Sequence, residues 1–427
     1  MSVPSEFSTT EVLRQALIDC RQATLNQVQN LGDRLYYQQA HPDFSPIGWH
    51  LGHIGFTEEL WLLRHCAGQA PHQPQTHRLY AADGLPKQQR EQLPSLTDTC
   101  EALQQVRQRV LDYLPRAPLS QQARLWWFIL QHESQHSETM AIVEALHRRK
   151  HHRKPLYVAH TAASSAPEFK SIKIPAGTFI QGNSDANAID NEQPAFLQYL
   201  DRYHIDRYPV TCGQYRRFIE AGGYNNPDYW SAAGWQFIRQ QNIQEPLYWP
   251  QQLSQTEASH FDHHPVCGVS WYEANAYANF VGKRLPSEAE WEKAASSNPQ
   301  HHRRQPYPWG TEPPQSHHCN HHRLLGGITP VHAYRDHCSP WGVADMLGNV
   351  WEWTSTPFAG YSGFEWFPYS GYSQAYFDGQ HYVLRGGSWT TRPWTLRNSF
   401  RNWYFPQVRE LFAGFRLCER EEGIVNS

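Results

Sequence analysis

The chain predicts two domains of different class: an N-terminal all-α four-helix bundle and a C-terminal α+β domain. Three observations carry this. Apolar residues recur at helical spacing through the first 150 positions. Beyond residue 170 the sequence turns rich in glycine, proline and tryptophan, with short alternating stretches in place of long helical ones. A length of 427 residues also exceeds what one core ordinarily organises. The expected boundaries are 1–150 for the bundle, 151–169 for a linker and 170–427 for the second domain.

Each bundle helix has its own signal. Ser8 and Glu11 have capping-box spacing, and Leu13, Leu17, Cys20 and Val28 follow on one face. Ser45-Pro46 reads as an N-cap followed by proline at the first helical position, opening a second helix to about Arg64. Leu103, Val106, Val110 and Leu114 stripe a third, and Leu125, Ile129, His132, His136 and Met140 a fourth. The basic run "RRKHHRK" and the small, polar "TAASSAPEF" then read as a linker. In the second domain "FKSIKIPAGTFIQG" alternates like a strand. "SWYEANAYANFVGK" is an amphipathic helix, and "RLPSEAEWEKAA" opens another with Pro286 near its start.

Composition narrows the function. A net charge of −3 supplies no general attraction for nucleic acid or anionic membrane, and the basic linker lacks the interleaved aromatics that stack bases. No apolar run spans a bilayer, and the N-terminus lacks the basic and apolar regions of a signal peptide. Eight scattered cysteines without a CxxC pair fit a reducing compartment, so the expected location is cytoplasmic.

With 25 histidines in the chain, spacing has to carry any metal argument. In "LQHESQHSETM", His132 and His136 are four apart and present both imidazoles to one point on a helix. Glu138 lies roughly 200° round from His136, which suits an outer, orienting role. A third ligand has to come from another helix, and "SPIGWHLGHIGFTEELW" offers His50 and His53. Three imidazoles without cysteine suit zinc, iron or copper and leave positions open for substrate or O₂.

The segments "WHLGHIG", "EELW" and "QHESQHSETM" resemble the DinB-type helical bundle. "GNSDANAIDNEQPAF", "GKRLPSEAEWEKAA", "DMLGNVWEWT", "LRGGSW" and "AGFRL" resemble the formylglycine-generating-enzyme fold, related to C-type lectins. In this order the pair is similar to the ergothioneine-pathway sulfoxide synthases, the EgtB family. That resemblance implies a non-haem iron(II) enzyme that uses O₂ to join a thiol sulfur to C2 of the imidazole of hercynine. It implies His53, rather than His50, as the ligand beside His132 and His136, with Gln135 in reach of the bound imidazole. It implies a tyrosine acting in oxygen reduction, best matched by Tyr361, with Tyr369 and Tyr372 as runners-up. Asn402 and Trp403 of "RNW" match a hercynine-contacting turn, where Trp403 would meet the trimethylammonium group. A structural Ca²⁺ ion in the second domain is left open.

Departures from the family pattern bear on the sulfur donor. Where γ-glutamylcysteine users carry two arginines, this chain has Lys87 and Arg90, and lysine is a poorer bidentate partner for carboxylate. Tyr404 stands where an aspartate would hold the donor's amine. Cysteine, γ-glutamylcysteine and the seleno-sugar of selenoneine synthases all remain open as donors. Thr391 and Leu396 stand where formylglycine-generating enzymes need cysteines, which excludes that chemistry. The competing readings are a DinB-type zinc or nickel thiol transferase, a lectin-like binding module, and histidines that are only satisfied core groups.

Overall fold

The computed structural model describes residues 9–71, 76–151, 156–158, 166–250, 260–298 and 304–419. Ser8 and most of the expected linker lie outside the described residues. The chain divides into two compact units, 1–154 with 185–189, and 155–184 with 190–427. The short 185–189 segment therefore belongs with the helices, although a boundary at 170 would place it in the second domain. Within the helical unit, Gln131 Nε2 donates to the Asn187 carbonyl at 2.9 Å.

The helical unit is built on α1 (Thr9–Val28), α2 (Asp33–Tyr37), α3 (Ile47–Glu58), α4 (His77–Tyr80), α5 (Leu96–Tyr113) and α6 (Leu119–His151). Its core is the predicted stripes, with Leu13, Leu17, Cys20, Leu103, Val110, Leu125, Ile129 and Met140 all buried. Two local expectations are corrected. The N-cap of α3 is Pro46, not Ser45, whose hydroxyl instead accepts from Arg90 Nη1 at 3.0 Å. The second helix also does not run regularly to Arg64. It widens into a π-helix over Glu59–Cys66, a form that is rare and frequent at functional sites.

Glycine explains how closely α3 is packed. A Cβ on Gly48 would meet the Tyr36 ring at 2.6 Å, and one on Gly52 would meet the Tyr80 ring at 2.0 Å. Both aromatic rings rest against bare helix backbone.

A buried ion quartet ties the four long helices together. Arg21 on α1 and Arg107 on α5 face Glu58 on α3 and Glu133 on α6, each at most 4% exposed. Arg21 reaches Glu58 at 2.6 Å and Glu133 at 2.9 Å, and Arg107 reaches both carboxylates at 2.6 Å. Thr24 adds a hydroxyl to Glu133 at 2.6 Å. Every carboxylate thus has two guanidinium partners, the condition under which buried charge is tolerated.

Among the described residues, the second unit holds three small sheets and short helices. Strands β1 (Ser171–Ile174), β4 (Tyr203–Asp206), β5 (Lys283–Arg284) and β10 (Cys418–Glu419) form one sheet in the order β1-β4-β10-β5. Strands β2 (Gly177–Gln181) and β3 (Phe196–Leu200) pair alone. Strands β6 (Trp351–Pro357), β7 (Tyr382–Arg385), β8 (Asn402–Tyr404) and β9 (Ala413–Gly414) form the third, in the order β8-β7-β6-β9, with β9 parallel to β6. The alternating stretch from Phe169 is thus two strands, divided at Pro175, which lacks a ladder N–H. Among the helices α7 (Cys212–Glu220), α8 (Ala232–Gln240), α9 (Trp271–Phe280) and α10 (Glu288–Ser296), the last two are the amphipathic helices expected from sequence. Full capping boxes open them, Ser270 with Glu273 and Ser287 with Glu290.

Around α10 the core again mixes apolar rings with paired charge. Trp291 and Trp353 are fully buried, and Trp291 Nε1 donates to Glu352, which Arg416 grips through both carboxylate oxygens. None of the eight cysteines is in a disulfide, and no described helix is long and apolar enough to cross a membrane.

The quartet yields a stability prediction. Glu133→Gln leaves two buried guanidinium groups short of a counter-charge and should cost about 3 kcal/mol. The readout is the urea midpoint of unfolding, and an unchanged midpoint would show that the four groups do not hold the helices together.

Candidate metal centre

Helices α3 and α6 bring three sequence-distant imidazoles to one place. Ligand atoms of His53, His132 and His136 all lie within 4.8 Å of one another. The Nε2 atoms of His132 and His136 are 3.1 Å apart. Two nitrogens each about 2.1 Å from a common ion, at roughly 90–110°, are separated by about 3.0–3.4 Å, so this pair already has the spacing an ion requires.

The protons are arranged to suit. His53 Nδ1 donates to the Tyr80 carbonyl at 2.6 Å, which leaves its Nε2 with a lone pair. The His53 ring is stacked on Trp49 at 4.6 Å and 12°, and the Arg90 guanidinium lies over that indole at 4.0 Å. Trp49 is itself pinned by Nε1 donating to the Leu79 carbonyl. The ligand ring is therefore held by a backbone acceptor at one edge and an aromatic plate at its face. Such outer contacts fix both the tautomer and the direction of a metal-binding imidazole.

All of the rings resist protonation. Burial lowers His53 to about 4 and His50 to about 3, and burial reinforced by the neighbouring imidazoles places His132 and His136 well below the usual histidine range. The donor set is thus three neutral nitrogens, the state that coordinates a divalent metal.

The remaining candidates fall into distinct places. His50 is not in the triad; its Nδ1 lies 2.9 Å from Nδ1 of His136. Gln135 is half-buried on α6 beside His136, and Glu138 is buried outside the ligand group. Lys87 is exposed, and its amine donates to the Asp43 carbonyl at 2.6 Å. Arg90 is engaged within the helical unit. Buried at 6% exposure, it donates to Leu85, Ser45 and Ala82 and stacks on Trp49, so its fork is already used by the protein.

In the second unit, Asn402, Trp403 and Tyr404 form the half-buried edge strand β8. Trp403 stacks on Phe358 at 4.4 Å and 3°, with Tyr372 and Tyr376 at 6.1 and 5.6 Å. That makes it one wall of an aromatic nest. Tyr361 lies elsewhere: its hydroxyl donates to Glu288 at 2.7 Å, and the Arg401 guanidinium sits over its ring at 4.3 Å. Burial holds this phenol well above its ordinary range. Its hydroxyl supports a buried charge cluster, an arrangement that sequence matching could not anticipate. Of Tyr361, Tyr369 and Tyr372, it is Tyr372, buried beside Trp403, whose ring meets a candidate substrate residue, and Tyr369 packs behind it at 6.3 Å.

A second group, Glu312, His317 and His318, also clusters among the described residues. There His318 Nδ1 accepts from the Gln315 backbone N–H at 3.1 Å, so the neutral ring carries its proton on Nε2, toward Glu312. The ring offers that carboxylate a hydrogen instead of offering an ion a lone pair. Neither group has the all-oxygen set that calcium takes.

The Tyr80 carbonyl, the Trp49 plate and the charge quartet were not anticipated from sequence. The quartet did leave a trace, since Arg21 and Arg107 interrupt apolar stripes four residues after Leu17 and Leu103.

A pH dependence follows. The imidazole values are depressed below the unfolded value of about 6.5, so the stability that depends on neutral rings is complete above that pH. It is lost as pH falls toward 4. Chelator-treated protein should melt at clearly lower temperature at pH 4.5 than at pH 7. A melting point flat across that window would show that the four rings are not held neutral by the fold.

Comparison with known proteins agrees with both units. Residues 16–140 match the DinB superfamily, and residues 158–421 match the sulfatase-modifying factor enzyme 1-like domain. A hercynine oxygenase of Mycolicibacterium smegmatis is 36% identical, over 96% of this chain and 98% of its own. Those of Mycolicibacterium thermoresistibile and Mycobacterium tuberculosis are 39% and 38% identical over 96% of this chain, and over 94% and 99% of theirs. With both domain types in the same order and similarity from end to end, the chain belongs to the hercynine oxygenase (EgtB) family.

Proposed function

We propose that this protein is a non-haem iron(II), O₂-dependent sulfoxide synthase of ergothioneine biosynthesis. It joins the sulfur of a thiol to C2 of the imidazole of hercynine. The observation that supports this most is the convergence of three neutral imidazole donors from α3 and α6, in a chain similar throughout to hercynine oxygenases. Iron(II) held by His53, His132 and His136 would supply open positions at which sulfur, imidazole and O₂ meet.

The chain's own residues give the rest. Gln135, one residue before a ligand, is placed to hydrogen-bond the hercynine imidazole. Trp403, in its nest with Phe358 and Tyr372, offers a π face to the trimethylammonium group, and Asn402 precedes it on the same strand. The proton-donating role falls to Tyr372 ahead of Tyr361, because the Tyr361 hydroxyl is committed to Glu288.

The donor reading rests on two positions. Arg90 is buried and held by three protein acceptors, and Tyr404 has no charge with which to grip an amine, whereas Lys87 is exposed and has one such contact, to Asp43, from which it can turn to a donor carboxylate. That favours cysteine over γ-glutamylcysteine. The same two positions favour, as a second reading, an uncharged seleno-sugar, which would make the enzyme a selenoneine synthase.

Iron(II)-loaded protein mixed with hercynine and each donor in air should consume O₂ with one donor and release one donor-linked product, read by mass spectrometry. His132→Ala should abolish both. O₂-independent thiol transfer would instead point to a DinB-type transferase. Tyr372→Phe should slow sulfoxide formation at least about tenfold, or divert it to thiol oxidation, while Tyr361→Phe acts mainly on thermal stability. The reverse pattern would return the role to Tyr361.

A further inference from the structure

The buried ring of His50 has a task that the ligand triad leaves undefined. It lies on α3 one helical turn before His53, is 5% exposed, and places Nδ1 2.9 Å from Nδ1 of His136. If His136 is to present Nε2 to the point it shares with His132, its proton must sit on Nδ1. That N–H then has His50 Nδ1 as its acceptor, which obliges His50 to carry its own proton on Nε2. The His50 Nε2 atom is buried, and the ring also meets the Ser45 backbone.

We propose that His50 is a positioning residue for the metal centre: it accepts the Nδ1–H of His136, fixes Nε2 of that ring as the ligating atom, and holds the ring's direction. This rests on the metal-centre reading above and adds a residue to it. The triad is then supported unequally. His53 is fixed by a backbone carbonyl, which no substitution removes. His136 depends on a side chain, which can be changed.

The partner atom can be replaced selectively. Asparagine places Oδ1 near where Nδ1 of histidine stands, so His50→Asn keeps an acceptor for His136 and discards the rest of the ring. Phenylalanine keeps the ring's bulk without an acceptor, and glutamine carries its amide one bond too far out. The experiment is chelator competition for Zn(II) on full-length protein, with the visible spectrum of the Co(II) form as a report on ligand geometry. Wild type and His50→Asn should bind one ion with similar affinity and similar spectra. His50→Phe should bind 10- to 100-fold more weakly, with an altered Co(II) spectrum. Should the phenylalanine variant fail to fold, His50→Gln takes its place and should show the same loss.

Stoichiometric binding by wild type together with unchanged affinity and spectrum in His50→Phe or His50→Gln would overturn the proposal and leave the metal centre standing. So would an asparagine variant that folds yet loses the metal as the phenylalanine variant does. Absence of metal binding by wild type would instead overturn the metal-centre reading, and the role of His50 with it.

Discussion

The helical unit depends on an electrostatic constraint before any metal chemistry. Two arginines and two glutamates are buried together, and no member can leave without stranding a charge in a medium that cannot solvate it. Each pair joins different helices, so the quartet sets their mutual rotation. Glu133 adjoins His132 in sequence, and Glu58 comes five residues after His53. With those carboxylates locked on one side of α3 and α6, the neighbouring imidazoles have their own side assigned. Apolar packing alone would tolerate small rotations that a three-point ligand set cannot.

The second unit reuses the device around α10. Glu288 and Glu292 face Arg385 and Arg401, and Glu352 faces Arg416, all buried. Here the charges organise loops, because the strands are short and the helices few. Tyr361 belongs to that organisation through its hydroxyl to Glu288.

What could be read from the sequence follows physical range. Helical periodicity and the four-residue spacing of His132 and His136 are local properties, so both helices and the paired imidazoles were visible. The choice between His50 and His53 was not local. It turns on which ring meets the Tyr80 carbonyl and which meets His136, contacts that span 27 and 86 residues. Arg90 hid its partners for the same reason. Its place in a motif said nothing of Ser45, Leu85 and Ala82, which take up its donors. Pattern also missed the π-helix after α3, because an apolar stripe counted at 3.6 residues per turn cannot register a change in winding.

The bare glycines of α3 carry a consequence for the order of events in assembly. Three of its twelve residues are glycine, each near 1 kcal/mol poorer than alanine as a helix former, so the segment has little tendency to coil alone. It becomes a helix when Tyr36, Tyr80 and Leu103 settle onto those gaps. His53 thus rides on a segment that draws on docked neighbours for its helix, and the Tyr80 carbonyl that accepts its Nδ1 proton belongs to one of them. An ion would enter a finished cavity rather than nucleate one, which separates this centre from zinc modules that are unfolded until the metal binds.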